Sequence, residues 1–426
     1  MKQKKTTPVL QRLAESYARL VLAVGQHDPD YVDAFYGPSE WRERAEKEKL
    51  PLEGIKQKAN GILAELRTVS PARMDEMSGR RHQFLTKQLQ ALLARVNMLL
   101  GTKYTFDEES RSLYDAVAPT YGEGHFKETL RELGDLLPGT GSVSARYERY
   151  KEQHTVPKSK LDRVFTAAIA ESRKRTAGWI ELPPQEQFTV EYVTGKSWSG
   201  YNWYKGQSTS LIQVNTDLPI AIDRAVDLAS HEGYPGHHVF NALLEKHLVR
   251  ERNWLEFSVY ALFSPQSLIA EGTANYGIEM AFPAEERVEF ERTVLFPLAG
   301  LDPAGAEKYY RVHRIFQRLA YAGNEAARKY LDGAIGREEA MRWLTEYALM
   351  APARAEQRTR FFDQYRSYVI NYNLGQDLVR RYIESRGGTP QNPAKRWGEF
   401  KELLTSPRVP SGLVRQPATA SQRPAF

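Results

Sequence analysis

The sequence contains no cysteine among its 426 residues. Disulfide bonds, thiolate metal ligands and a cysteine nucleophile are therefore excluded. It also has no run of about eighteen apolar residues, which a helix needs to cross a bilayer. The apolar stretch near the start, LVLAVG, is too short for the core of a secretory signal and falls inside an amphipathic helical pattern. These absences predict a cytoplasmic chain without a membrane span.

Charge of one sign exceeds the other only slightly, since 59 Lys and Arg stand against 53 Asp and Glu for a net charge of +6. The basic residues are interspersed with acids, as in DRAVDLASHE, and no helix-turn-helix or RNA-binding signature accompanies them. Such interspersed charge is typical of a solvated surface and not of a nucleic-acid interface. The sequence thus predicts a protein with no nucleic-acid partner, and its 41% apolar residues suffice for a substantial core.

Apolar residues recur at three- and four-residue spacing through most of the chain, as in FLTKQLQALLARVNMLL. Residues 186–195 and 209–217 are instead rich in β-branched and aromatic residues, which predicts two strands separated by a turn-rich loop. We therefore predict a mainly α-helical domain with a small antiparallel β-sheet. Residues 1–180 are expected to form an N-terminal helical lobe, residues 181–405 a lobe with the strands, and residues 406–426 a disordered tail.

The stretch HEGYPGHH, residues 231–238, differs from the zinc-protease signature H-E-x-x-H because Pro235 stands where the second histidine belongs. On a regular helix His238 returns to within about 20° of the face of His231, whereas His237 does not. Pro235 cannot donate the helical hydrogen bond and the following glycine tolerates unusual backbone angles, so a bulge is expected. A bulge would bring His237 back to the shared face. Geometry leaves both histidines as candidate ligands, and a polar helix end as the alternative to a metal site.

A second segment, SLIAEGTANYGIEM, places Glu271 near the start of an apolar-periodic helix. Two histidines and a glutamate form the ligand set of one class of zinc peptidase. Asn275 lies one turn beyond Glu271 on the same helical face, where its side chain can hydrogen-bond a metal ligand. The alternative interpretation of Glu271 is a helix-start carboxylate that the helix dipole favours.

The stretches SHEGYPGHH and AEGTANYG resemble two motifs of the domain of unknown function 885 family, His-Glu-x-x-Pro-Gly-His and a Glu-Gly-Trp-Ala-Leu-Tyr-like sequence. That family is similar to helical zinc metallopeptidases of the carboxypeptidase Taq kind. The resemblance covers mainly residues 200–390. It implies a helical metallopeptidase-like domain that holds one Zn²⁺ ion through His231, His237 and Glu271, with Glu232 as general base.

The same resemblance places His238 beside the site. The chain departs from the family at Thr273 and Asn275, where the family commonly has Trp and Leu; these changes leave ligation intact and alter the pocket. In SYVINYNLGQ, Tyr372 and Gly375 match a Pro-Gly-Gln-Ala-x-x-Tyr-x-x-Gly segment of the family. Tyr372 can donate a hydrogen bond to a tetrahedral oxyanion, and an ordinary core tyrosine is the alternative.

Together these residues predict a zinc metallopeptidase-like hydrolase that cleaves peptide or small amide substrates with a metal-activated water. Residues 209–217 are expected to form an edge strand that pairs with extended substrate, with Asn215 beside the metal ligands or the substrate. Arg354, Arg358 and Arg360 can bind a terminal carboxylate but are interpreted as a solvated face. A hydrolase of a non-peptide amide or ester and a non-catalytic helical scaffold are the alternatives.

Overall fold

The computed structural model describes residues 8–414 of the chain. The α-helices in this range are α1 (Pro8–Val24), α2 (Ser39–Glu48), α3 (Leu52–Thr68), α4 (Glu76–Leu99), α5 (Phe106–Tyr114), α6 (Glu123–Leu136), α7 (Val143–Glu152), α8 (Leu161–Ala177), α9 (Asp223–Leu228), α10 (His237–Leu244), α11 (Pro265–Ala281), α12 (Ala284–Phe290), α13 (Phe296–Ala299), α14 (Ala306–Gln317), α15 (Ala322–Leu331), α16 (Arg337–Tyr347), α17 (Pro352–Tyr365), α18 (Ile370–Ser385) and α19 (Pro393–Leu404). The strands are β1 (Val32–Phe35), β2 (Gln187–Val193), β3 (Gly200–Gly206), β4 (Thr209–Asn215) and β5 (Val259–Ala261). The predicted mainly helical fold with a small sheet is confirmed.

Outer helices such as α3 and α6 bury one apolar face, as their periodicity predicts, whereas the central helix α11 is buried on nearly all sides. In α1 a buried stripe recurs at intervals of three or four residues, and the last turn, Leu20–Val24, is buried all round: the stripe consists of Leu10, Leu13, Tyr17, Val21 and Val24. Among the described residues, no helix has the length and apolar character that crossing a membrane requires.

Two small sheets interrupt the helices. β1 pairs antiparallel with β5, which ties a strand of the first 180 residues to one of the second half. The other sheet has the order β2–β4–β3, with β3 antiparallel and β2 parallel to β4. The strands predicted at 186–195 and 209–217 are present as β2 and β4. The sheet is mixed and not wholly antiparallel as predicted, because β3 adds a reversal of the chain between β2 and β4, so that these two strands run in the same direction.

β3 lies within the segment predicted to be a loop. A two-residue turn of Gln207 and Ser208 joins it to β4, and both residues have positive φ, 54° and 56°. Such turns usually contain Asn-Gly or Asp-Gly, so the sequence carries no ordinary hairpin signal here. β4 is consequently the central strand, and the hypothesis that it pairs with substrate as an edge strand is wrong.

Buried polar contacts join the two predicted lobes. Arg81 on α4 and Glu256 are both fully buried, and Arg81 Nη2 donates to Glu256 Oε2 at 2.8 Å. Glu109 on α5 accepts hydrogen bonds from the backbone and the hydroxyl of Ser367. Because unpaired buried charges are costly, these contacts favour one fixed arrangement of the interacting helices. Residues from both lobes also contribute to one continuous hydrophobic core.

The predicted disordered tail begins two residues after α19. Its first part, residues 406–414, packs on the helices, with Val409 and Leu413 buried and Arg408 donating to the hydroxyl of Tyr382. Its remainder, residues 415–426, lies outside the described residues.

Helices α11 and α18 cross at two glycines. A Cβ on Gly272 would lie 2.5 Å from the carbonyl carbon of Gly375, and a Cβ on Gly375 would lie 2.7 Å from the carbonyl oxygen of Leu268. Only glycine permits so close an approach of the two backbones. Since Glu271 precedes the first glycine and Tyr372 lies one turn before the second, the crossing sets the separation of these two side chains.

We expect Gly272→Ala to lower the free energy of unfolding by about 1–3 kcal/mol, because the added methyl overpacks the crossing. Gly61→Ala is the matched control, since a Cβ at this exposed position within α3 meets nothing within 4 Å. Alanine there should be neutral or stabilise by up to about 1 kcal/mol. Urea denaturation measures both variants, and equal stabilities would contradict the close crossing.

Candidate metal centre

The backbone between α9 and α10 leaves the regular helix where the sequence predicts a bulge. Residues Ala229–Gly233 form a π-helical turn, after which the amide of Gly236 donates to the carbonyl of Ser230 at 2.9 Å. A Cβ on Gly236 would lie 1.8 Å from the carbonyl oxygen of His231, so only glycine fits at this position. The chain therefore turns back over His231, and α10 begins with His237 beside it.

Three side chains converge on one point. The Nε2 atoms of His231 and His237 are 3.1 Å apart, and Glu271 Oε2 lies 3.2 Å from the first and 3.6 Å from the second. Donors about 2.0–2.2 Å from a tetrahedral ion lie about 3.3 Å from one another. Glu271 Oε2 is also buried without a hydrogen-bond partner. The distances between the donor atoms and the unpartnered Oε2 atom of Glu271 both fit a bound metal ion. The three residues therefore form a possible metal site.

Neighbouring side chains fix the orientation of two of these groups. Asn275 donates through Nδ2 to the carbonyl of Tyr372 at 3.0 Å, which leaves its Oδ1 to accept from His231 Nδ1 at 2.9 Å. His231 then carries its proton on Nδ1 and directs the free Nε2 at the cluster. The hydroxyl of Tyr368 donates to Glu271 Oε1 at 2.7 Å, so that Oε2 is the oxygen turned toward the histidines.

The cluster binds a proton strongly when no metal is present. Burial lowers the pKa of His237, but the nearby carboxylate of Glu271 outweighs burial and raises this pKa to about 9. Burial raises the pKa of Glu271, but the charges of His237 and His231 beside it hold this pKa well below its usual range. A metal ion must therefore displace a proton from the site.

Glu232 lies next to the ligands in sequence and in space. It is 4% exposed and lines the same cavity as His231 and His237. Burial raises the pKa of its carboxyl group. A Cβ on Gly200 of β3 would lie 3.0 Å from Glu232 Oε1, so the glycine leaves room for this carboxylate. The side chain is thus a buried acid in the wall of the cavity that the three candidate ligands share.

Two residues predicted to lie near the metal or substrate have other surroundings. His238 is fully buried, with Nδ1 2.9 Å from Ser210 Oγ and Nε2 3.1 Å from Glu186 Oε2. It faces the sheet, so the structure brings His237 and not His238 to His231. Asn215 donates to the carbonyls of Lys196 and Trp198, which shapes the loop before β3.

The three candidate metal ligands line a cavity of about 380 Å³. The residues that line it come from β1, the loop before β3, β3, α9 to α11, α17 and α18, and they include Asp33, Trp198, Tyr201, Arg224, Arg354, Gln357, Arg358, Phe361 and Tyr372. Tyr372 lies with its ring centre 6.4 Å from that of His231. Trp198 and Tyr201 contribute two further aromatic rings to the lining of the cavity.

Three features of this site were not predicted from the sequence. Tyr201 donates to Asp33, whose pKa burial raises to about 6, and nothing in the sequence links residues so far apart. Tyr368 stands where the resembled family has Gln, so its contact with Glu271 was not expected. Arg354 and Arg358 line the cavity, which makes their interpretation as a solvated face wrong, although their one-turn spacing was a usable signal.

No protein-family model matches the sequence, and no curated protein matches it significantly. Membership of the domain of unknown function 885 family therefore stays a prediction. Among solved structures, one described as "putative lipoprotein from Colwellia psychrerythraea" matches with a TM-score of 0.54 and 16% identity, over 87% of this chain and 70% of that one. At this identity the likeness shows a shared fold alone.

Two further solved structures are similar over most of their length. A lipoprotein of unknown function, so described, from Shewanella oneidensis has a TM-score of 0.48 and 13% identity, covering 89% of this chain and 78% of that one. The M32 carboxypeptidase from Deinococcus radiodurans R1 has a TM-score of 0.48 and 12% identity, covering 96% of each chain. TM-scores below 0.5 establish neither a shared family nor a shared activity.

We expect one divalent ion per chain when the protein is loaded with Zn²⁺ as a probe, and its loss in His237→Ala. His238→Ala is the control, because this side chain faces Ser210 and Glu186; it should lose stability and keep the ion. Elemental analysis of the folded, gel-filtered protein measures the content. Loss of the ion in His238→Ala alone would mean that the second ligand is His238.

Metal binding should release about one proton per chain at pH 7, because His237 is protonated in the metal-free protein and must be neutral as a ligand. Affinity should then rise about tenfold per pH unit and level off near the pKa of about 9. Calorimetry in buffers of different ionisation enthalpy counts the protons. An affinity that does not change between pH 6 and 8 would contradict the protonated cluster.

Proposed function

We propose that the chain is a zinc-dependent hydrolase that cleaves peptide bonds with Glu232 as general base. The observation that carries the proposal is the convergence of His231, His237 and Glu271, whose donor atoms lie 3.1–3.6 Å apart beside this acid. Two nitrogens and one oxygen favour zinc over magnesium or calcium, which prefer oxygen ligands alone. Three protein ligands also leave a fourth position open, as in catalytic and not in structural zinc sites.

The chain's own residues supply the proton transfers. A bound zinc ion would act as a Lewis acid and lower the pKa of a water molecule. Glu232 accepts the proton of the attacking water and passes it to the leaving amine, a transfer that its raised pKa favours because a stronger base accepts protons more readily. The space that Gly200 leaves beside Oε1 keeps this carboxylate free to do so.

Tyr372 is the second residue to which we assign a chemical role. It lines the cavity near His231, and burial raises its pKa well above the usual value, so the phenol keeps its proton at neutral pH. The hydroxyl can donate a hydrogen bond to the carbonyl oxygen as negative charge develops there. Its backbone carbonyl meanwhile holds Asn275, which couples the position of this tyrosine to the orientation of His231.

The proposed substrate is an extended peptide. β3 is an edge strand of its sheet, and Gly200, Tyr201 and Asn202 line the cavity. An extended peptide can add to such an edge through main-chain hydrogen bonds, with side-chain contacts from neighbours such as Trp198. A non-peptide amide or ester would use the same catalytic residues, so a panel of peptides, amides and esters separates the two functions.

We expect Glu232→Gln to lower the rate of peptide hydrolysis by about 10²–10⁴-fold while the metal content stays unchanged, because it removes the base and no ligand. Glu191→Gln is the matched control on the exposed face of β2 and should keep full activity. Hydrolysis of internally quenched peptides measures the rate. Full activity of Glu232→Gln would exclude it as the base, and cleavage of esters or simple amides alone would favour the non-peptide function.

A further inference from the structure

Two arginines of α17 enter the cavity that holds the candidate metal ligands. Arg354 and Arg358 lie one helical turn apart, on the face of α17 that lines this cavity. The guanidinium carbon of Arg358 is 4.6 Å from the ring centre of Phe361 and 5.8 Å from that of Tyr372. These aromatic faces hold the planar group in place through cation–π contacts. Arg360, by contrast, is exposed and pairs with Glu356 at 2.7 Å.

Within residues 8–414 neither cavity arginine has a carboxylate partner within 4 Å, and the residues outside this range contain no Asp or Glu side chain. The Nε atom of Arg358 is buried without a hydrogen-bond acceptor. Arg224, which also lines the cavity, is already paired with Asp227 at 3.1 Å. Guanidinium groups that are partly removed from water are normally paired, so two half-buried, unpaired ones in a cavity indicate a binding site for an anion.

The geometry of the group favours a carboxylate. A guanidinium fork binds a carboxylate through two parallel hydrogen bonds, and the aromatic contacts fix the plane of the fork. The cavity also contains the carboxyl groups of Asp33, Glu232 and Glu271, which disfavour a multiply charged anion such as phosphate.

The distance to the metal ligands limits where that carboxylate lies in the substrate. Tyr372 contacts both sides, with its ring centre 6.4 Å from that of His231 and 5.8 Å from the guanidinium carbon of Arg358. Extended chain spans about 3.3 Å per residue. The guanidinium group is therefore fewer than about four extended residues from the ligand cluster.

We propose that Arg354 and Arg358 bind a carboxylate of the substrate, so that the enzyme selects peptides with a carboxylate within about four residues of the bond that is cleaved. This inference rests on the proposed peptide hydrolase. The carboxylate is the C-terminal one or that of an acidic side chain, since both present the same two oxygens to the fork. Arg358 supplies the main contact because it is held over Tyr372, and Arg354 adds charge one turn away.

Binding to zinc-loaded Glu232→Gln tests the proposal without turnover. The probes are acetyl-Ala-Ala-Phe-Ala with a free C-terminus, the same peptide amidated, and an amidated peptide with Asp in the last position. We expect the first to bind about 10- to 100-fold more tightly than the second, as is usual for a hydrogen-bonded charge pair. Arg358→Gln should reduce this ratio to near one and leave the affinity for the amidated peptide unchanged. Tight binding of the Asp peptide would identify an acidic side chain as the source.

Arg360→Gln is the matched control and should keep the ratio, since this residue is outside the cavity. Thermal unfolding verifies that Arg358→Gln folds, and removing an unpaired, half-buried charge should not lower its melting temperature. Equal binding of all three peptides by the parent, or a preference for a carboxylate that Arg358→Gln leaves unchanged, would overturn the carboxylate site. If wild type hydrolyses all three peptides at equal rates, the carboxylate site is contradicted and the proposed hydrolase function is retained. If the preference for a peptide with a carboxylate depends on Arg358 but no peptide is hydrolysed, the carboxylate site is supported and the proposed hydrolase function is contradicted.

Discussion

Two imidazole nitrogens and a carboxylate oxygen that lie 3.1–3.6 Å from one another need a positive charge between them. The lone pairs of His231, His237 and Glu271 point at one place, and only a proton or a metal ion there makes the arrangement favourable. In the metal-free chain a proton supplies this positive charge, because the pKa of His237 is raised to about 9. The surrounding structure must therefore hold together three groups that repel one another when the site has no cation.

The backbone meets this requirement through close approaches at glycine. Gly236 lets the chain pass over the carbonyl of His231, so that His237 returns to the same side as its partner. Gly272 lets α18 approach α11, which places the hydroxyl of Tyr368 against the oxygen of Glu271 that does not face the histidines. At each close approach, backbone atoms occupy the space that a side chain would otherwise fill. Together the two approaches hold in place candidate metal ligands that come from separate helices.

Much of the fold follows from the local sequence, because helical periodicity and a Pro-Gly interruption are local features. The bulge that selects His237 over His238 follows from Pro235 and Gly236, although regular geometry alone favours His238. β3 was missed because Gln207 and Ser208 adopt positive φ without the usual turn residues. Contacts between distant segments, such as that of Tyr201 with Asp33, depend on tertiary packing. The spacing of residues along the sequence therefore does not predict them.

The charges of the cavity explain why an arginine pair belongs in it. With a divalent ion bound, Glu232 and Glu271 would balance its charge, and Asp33 would offset only one of Arg354 and Arg358. The loaded cavity would then carry one net positive charge, since Arg224 and Asp227 neutralise each other. A substrate with one carboxylate restores neutrality, whereas an uncharged one leaves a guanidinium group unpaired among Phe361 and Tyr372. The same burial that raises the pKa of Glu232 would therefore also penalise binding of substrates without a carboxylate to the proposed hydrolase.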